Sequence, residues 1–85
     1  RYALQEELAR GGMGVVVVAH DRALGRTVAV KLLRPEFADR PALVGRFVEE
    51  ARITGRLQHP GVPPIYDVGT RPDGSPFLAM KLIRG

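Results

Sequence analysis

The hydrophobic pattern changes period twice along the chain. Tyr2, Leu4 and Leu8 alternate with polar neighbours, with Glu6 out of step, which predicts a half-buried strand over 2–9. Arg10-Gly11-Gly12-Met13-Gly14 follows, and glycines this dense make a turn or a loop closed over a ligand. Val15 to Val18 are four β-branched residues in succession, so the chain leaves that loop as a strand. Asp21 to Arg26, with Gly25, reads as a turn, and Thr27 to Leu33 as a third strand. Pro35 and Pro41 bracket a connector. Between Pro41 and Pro60 the period becomes helical, with Leu43, Phe47, Glu50, Thr54 and Leu57 on one face. Gly45 and Gly55 each cost this helix about 1 kcal/mol relative to Ala, so it leans on tertiary packing. Asp39 complements its N-terminal dipole. His59-Pro60-Gly61 ends it, because Pro60 disfavours helical geometry at His59. Val62 to Gly69 predicts a fourth strand, weakened at its start by Pro63 and Pro64. Arg71-Pro72-Asp73-Gly74 is a turn, and Pro76 to Ile83 a fifth strand.

The order β-β-β-α-β-β predicts an α+β domain over residues 1–85, a five-stranded twisted antiparallel sheet with one packed helix. Eighty-five residues allow a single small core. No apolar run approaches the ~18 residues of a membrane span, and no charged-then-apolar leader opens the sequence, so a cytoplasmic location is expected. The absence of cysteine excludes disulfides, Cys-ligated zinc and thiol chemistry. The two histidines are too few for a histidine metal cage, and no metal ligand is assigned within the chain. Net charge is +4, and eleven of the thirteen basic residues are Arg. They are spread along the chain and interleaved with acids, which argues against a specific nucleic-acid surface.

Three groups of residues carry chemistry. The glycine turn lacks the Gly-Lys-Ser/Thr ending of a P-loop, because Val15 follows Gly14. A dinucleotide-binding turn would lead into a helix, and here the next element is a Val-rich strand. A strand–glycine loop–strand arrangement instead lets backbone N–H groups lie over phosphates, and small residues let the backbone come close. A plain hairpin turn is the competing reading. Lys31 ends a hydrophobic strand, sharing a face with Ala29. Glu50 falls inside the apolar stripe of the predicted helix, and a carboxylate aimed at a core needs a cation. Lys31 is the only lysine in the first three strands, so a Lys31–Glu50 pair is expected. A Glu at the edge of the stripe is the alternative.

Taken in order, these residues resemble a known family. Gly11-Gly12-Met13-Gly14-Val15-Val16, Val28-Ala29-Val30-Lys31, Phe47-Val48-Glu49-Glu50-Ala51 and His59-Pro60-Gly61 are similar to the N-terminal lobe of bacterial, eukaryotic-like serine/threonine protein kinases. Phe77 to Gly85 resembles the strand that enters the hinge between the lobes of those enzymes, so the resemblance covers essentially the whole chain.

The resemblance implies a cofactor and a division of labour. Gly11, Gly12, Met13 and Gly14 would cover the phosphates of ATP, with Ala9 in the place of the first loop glycine. Val16 and Ala29 would roof the adenine, and Met80 would close the back of its pocket. The backbone from Lys81 to Ile83 would meet the adenine edge; Lys81 stands where the family commonly has an acid. Lys31 would hold the α- and β-phosphates while paired to Glu50. The catalytic His-Arg-Asp loop and the Mg²⁺-binding Asp-Phe-Gly would belong to the kinase C-lobe, a partner these residues do not include. His20-Asp21-Arg22 and Asp67-Val68-Gly69 imitate those motifs in a turn and a strand end, and neither is expected to act. The implied function is the ATP-binding lobe of an enzyme acting on a protein substrate. A non-catalytic nucleotide- or protein-binding module, such as a pseudokinase or truncated lobe, is the alternative.

Overall fold

A computed structural model describes residues 1–12, 14–56 and 64–83. It contains β1 (Tyr2–Gly11), β2 (Gly14–Asp21), β3 (Arg26–Leu33), a 3-10 turn (Pro35–Phe37), α1 (Pro41–Arg56), β4 (Ile65–Thr70) and β5 (Pro76–Met80). The strands form one antiparallel sheet in the order β1-β2-β3-β5-β4. This is the α+β arrangement expected from the periodicity.

The run from Val15 to Ala19 is apolar on both sides because β2 is a central strand with both faces covered. Val15, Val17, Ala19, Val28, Val30 and Ala79 form the core of the outer face, flanked by Tyr2, Leu32 and Phe77. On the inner face Leu33 and Leu78 pack against Phe47 and Ala51 of α1. Phe37, Val44, Ile65 and Met80 border that second cluster. Only part of the inner face therefore lies under the helix.

The differences from the sequence reading have local causes. Irregular register at Leu4/Glu7 and Glu7/Ala9 breaks the alternation of β1, which explains why Glu6 is out of step. Edge strands gain from such bulges and from charge, because both discourage pairing with another chain. The fifth strand ends at Met80 rather than Ile83. Met80 is the last residue paired to both Ala29 and Ile65, and beyond it the Lys81 N–H turns to the Pro64 carbonyl at 3.0 Å. The fourth strand begins at Ile65; Val62 and Pro63 lie outside the described residues, as do Leu57 and the His59-Pro60-Gly61 stop.

Two clusters tie the sheet together. Gly69 pairs with Phe77, and a Cβ at Gly69 would stand 2.6 Å from the Phe77 ring. That ring in turn meets Tyr2 edge-on at 5.5 Å, while the Tyr2 hydroxyl donates to Asp67 at 3.1 Å. The second cluster surrounds Asp21, which is fully buried at the end of β2. It accepts hydrogen bonds from the Arg1 guanidinium (3.1 and 3.2 Å) and from the N–H groups of Ala23 and Leu24. Arg26 forms an ion pair with it at 3.4 Å and lays its guanidinium 3.8 Å from the Tyr66 ring centroid. Asp21 thus ties the end of β2 to Arg1 and Arg26, and Asp67 is a member of β4.

Gly69→Ala should destabilise the fold by about 1–3 kcal/mol, since the ring must shift out of two contacts; denaturant unfolding measures this. The Arg1 hydrogen bond, aided by the Leu24 and Ala23 N–H groups, pushes the Asp21 carboxyl down to about 2 from an ordinary 3.8. A depressed carboxylate contributes stability in full above its unfolded pKa and loses it as pH falls through the folded one. Melting temperature should therefore drop between about pH 4 and pH 2, and Asp21→Asn should flatten that part of the profile while lowering stability at neutral pH.

Candidate functional site

The inner face gathers the residues singled out by sequence. Cross-strand partners share a face, so the Val16–Lys31 and Lys31–Leu78 pairs place all three side chains on the side that carries α1. Ala29 and Met80 are paired one step further along the same face. Gly11 pairs with Gly14 across the turn between β1 and β2, and Gly12 adopts φ +53°, a left-handed conformation that glycine enters without strain.

Gly11, Gly12, Gly14, Lys31, Phe47 and Glu50 line a cleft of about 370 Å³ between the turn and the helix. A small recess of about 60 Å³ adjoins it, between Lys31, Phe47, Glu50, Ala51 and Leu78. The Lys31 stem passes directly beneath Gly14, where a Cβ would meet Lys31 Cε at 3.0 Å. The missing side chain thus opens the route by which the ammonium reaches the cleft. It ends 5.9 Å from the Phe47 ring centroid. Val16, Ala29 and Met80 stand on the same face but do not line this part of the cleft. Ala9 is an exposed residue of β1 opposite Val16, and Ile83 is exposed past the end of β5. The Lys81 N–H is engaged by Pro64, which removes one of the donors expected to meet a ligand edge. Met13 lies outside the described residues.

Glu50 corrects the helical wheel. The buried side of α1 is centred on Phe47 and Ala51, and Glu50 is exposed rather than inside the stripe. The small Ala51 side chain lets the helix approach the sheet along that line, and an unpaired carboxylate stays in water at low cost. Lys31 and Glu50 face one cleft without touching: the ion pairs among the described residues are Arg1–Asp21, Arg1–Asp67, Arg10–Glu7, Arg26–Asp21 and Arg34–Glu36. Thr54, the next member of the predicted stripe, has no described side chain, and Leu57 lies outside the described residues.

A larger cleft of about 430 Å³ opens on the outer face, with Val30, Leu32 and Phe77 among its walls. Its Arg1, Tyr2 and Asp67 are already bonded to one another or to Asp21. The inner cleft holds Lys31, which has no ion pair among the described residues, beside the glycine backbone. One contact was missed by sequence reasoning: Arg34 Nη1 donates to the Gly12 carbonyl at 3.1 Å. Periodicity carries no signal for it, since Arg34 lies in an irregular connector.

No protein-family model matches the chain. Its sequence is 45% identical over 89 residues to the serine/threonine-protein kinase PknA of Mycobacterium tuberculosis, covering all of this chain and 21% of that protein. It is 44% identical over 86 residues to PknD of Chlamydia muridarum, again covering all of this chain and 9% of that protein. PknH of M. tuberculosis is 49% identical over 84 residues, covering 99% of this chain and 13% of that protein. Among solved structures, the apo form of PpkA-294 superposes with a TM-score of 0.81 at 26% identity, over 96% of this chain and 35% of that one. A single-residue mutant of the M. tuberculosis PknI kinase domain gives 0.73 at 28% identity, over 99% of this chain and 34% of that one. The chain therefore spans about a fifth or less of these sequence relatives. With the sheet, helix and cleft described above, these likenesses mark it as a protein-kinase N-terminal lobe of the bacterial serine/threonine type.

Gly14→Val should displace the Lys31 stem, whereas Gly14→Ala should be accommodated by a small shift of that flexible side chain. The chain has only two lysines, so the ammonium NMR signal of Lys31 is readily distinguished from that of Lys81. It should move in the valine variant with the amide signals of β3 and β5 in place.

Proposed function

We propose that residues 1–85 form the ATP-binding lobe of a serine/threonine protein kinase, positioning MgATP for phosphoryl transfer to a serine or threonine hydroxyl of a protein substrate. The observation that carries this reading is the convergence of Gly11, Gly12, Gly14, Lys31 and Glu50 on one cleft. The donor set fits a nucleotide triphosphate. Glycines at 11, 12 and 14 let backbone N–H groups approach an anion, and Lys31 supplies the cation beneath them. Met13 completes the turn in this reading, with Ala9 flanking it. Val16 and Ala29 would roof the adenine, Met80 would close its back, and the Lys81 carbonyl with the Ile83 backbone would meet its edge, the Lys81 N–H being held by Pro64.

Bound ATP supplies the phosphoryl group; the protein's part is positioning and electrostatic stabilisation. Lys31 holds the α- and β-phosphates. Glu50 restrains Lys31 once α1 rolls its exposed carboxylate towards β3, a movement made easier because Phe47 and Ala51 are the helix's only buried apolar residues among those described. Mg²⁺ ligands and the catalytic base are assigned to a C-lobe, the partner that would close the cleft. No helix among the described residues is long and apolar enough to cross a membrane; the proposed use of ATP implies a cytoplasmic lobe.

In the full-length protein, Lys31→Met should lower phosphoryl transfer by at least about 100-fold with an unchanged melting temperature. Glu50→Gln should lower it by about 10- to 100-fold through loss of Lys31 positioning. Near-wild-type turnover in either variant would remove this assignment. Nucleotide binding without any transfer by the wild-type protein would instead favour a non-catalytic binding module.

A further inference from the structure

Arg34 directly follows β3 and makes a set of contacts that converge on the glycine turn. Nη1 donates to the Gly12 carbonyl at 3.1 Å, and Nη2 pairs with the Glu36 carboxylate. The guanidinium carbon lies 5.7 Å from the centroid of the Phe37 ring, which itself borders the inner-face core. Nε is buried without an acceptor, a cost that the other contacts must offset. Arg10 of β1, itself paired with Glu7 at 2.9 Å, also acts on Glu36 through its charge. The Glu36 carboxyl is held below its usual range by its own backbone N–H and by the charges of Arg34 and Arg10. Arg34 and Glu36 thus connect the β1–β2 turn to the connector between β3 and α1, two segments far apart in sequence.

We propose that Arg34 is a positioning residue for the phosphate-binding turn, a latch that holds Gly12 against the connector and so sets the affinity for a nucleotide triphosphate. The consequence for affinity rests on the nucleotide-binding reading above; the latch itself does not. Arg34 does not line the cleft, and its contact with the turn is through the Gly12 carbonyl. Its effect is conformational and electrostatic. Glycine-rich backbone is costly to order, and a guanidinium that bridges Gly12 and Glu36 beside the Phe37 ring removes that cost before a ligand arrives. Gly12 is also a wall of the cleft, and its carbonyl oxygen would repel a nearby phosphate. Engaging that oxygen with a cation offsets the repulsion.

The test combines amide exchange with nucleotide titration in the full-length protein. Arg34→Met should speed exchange in the peptide spanning Gly11 to Gly14 by about five- to tenfold, with exchange in β3 and β5 unaltered. The same variant should weaken ATP binding by about five- to tenfold, and adenosine, which has no phosphate to meet the turn, much less. Glu36→Gln, which leaves the Gly12 contact but frees the guanidinium, should give the same pattern at smaller amplitude. It also serves as the second arm if Arg34→Met fails to fold. Unchanged turn exchange in these variants overturns the latch. Faster exchange with unchanged ATP affinity overturns its role in binding. Full rescue of ATP affinity by Arg34→Lys, with the turn still exchanging fast, would make Arg34 a simple charge acting on phosphate and would also overturn the proposal. If the wild-type protein binds no nucleotide, the nucleotide reading fails, while the exchange arm still decides the latch.

Discussion

The register of β3 between β2 and β5 is the constraint on which the cleft depends. Side chains alternate across a sheet, so a slip of one residue would send Lys31 to the outer face and Val30 or Leu32 to the inner one. The Val-rich centre prevents this slip. Val28 and Val30 are almost wholly buried on the outer face, and Ala79 from β5 and Ala19 from β2 close around them. Moving those valines into the cleft would expose them and bury Lys31 and Thr27 in exchange. The position of the cation is therefore secured by apolar burial on the opposite side of the sheet, without an ion pair at the cation among the described residues.

The same logic separates the rigid from the adjustable parts. The sheet is held by three central strands, by the Tyr2–Phe77–Gly69 stack and by the Asp21 cluster at one end. The helix is attached chiefly through Phe47 and Ala51. The glycine turn is attached through its own strands and through Arg34. The two elements that flank the cleft are thus held by few buried apolar side chains among the described residues. A cleft whose walls are lightly held around a firmly held floor can adjust to a ligand without cost to the core.

Much of this was legible in the sequence because it rests on local periodicity. The β-branched run at Val15–Val18, the strand over Thr27–Leu33 and the helix after Pro41 correspond to β2, β3 and α1. The glycine turn and Lys31 fall where the strand assignments place them, because a face in a strand is decided by parity alone. The end of β5 was not legible: β3 continues through Val28, Thr27 and Arg26 beyond the last pair, Ala29–Met80, but residues 81–83 leave it, and on the other side the Lys81 N–H meets the Pro64 carbonyl.

The side chains at the cleft divide along the same line. Sequence alone determined the face on which Lys31 lies, since strand parity is a property of the local chain, but its helical phase set Glu50 inside the apolar stripe, where the structure has it exposed. Whether they touch is a matter of how α1 is rolled about its axis, and Glu50 lies within reach of either the cleft or solvent. The tertiary structure decided that roll through the depth to which Phe47 and Ala51 sink between Leu33 and Leu78. It also decided the Arg34–Gly12 contact, which joins residues twenty-two positions apart. Such a contact depends on the path of an irregular connector in space, and no periodic pattern encodes that path.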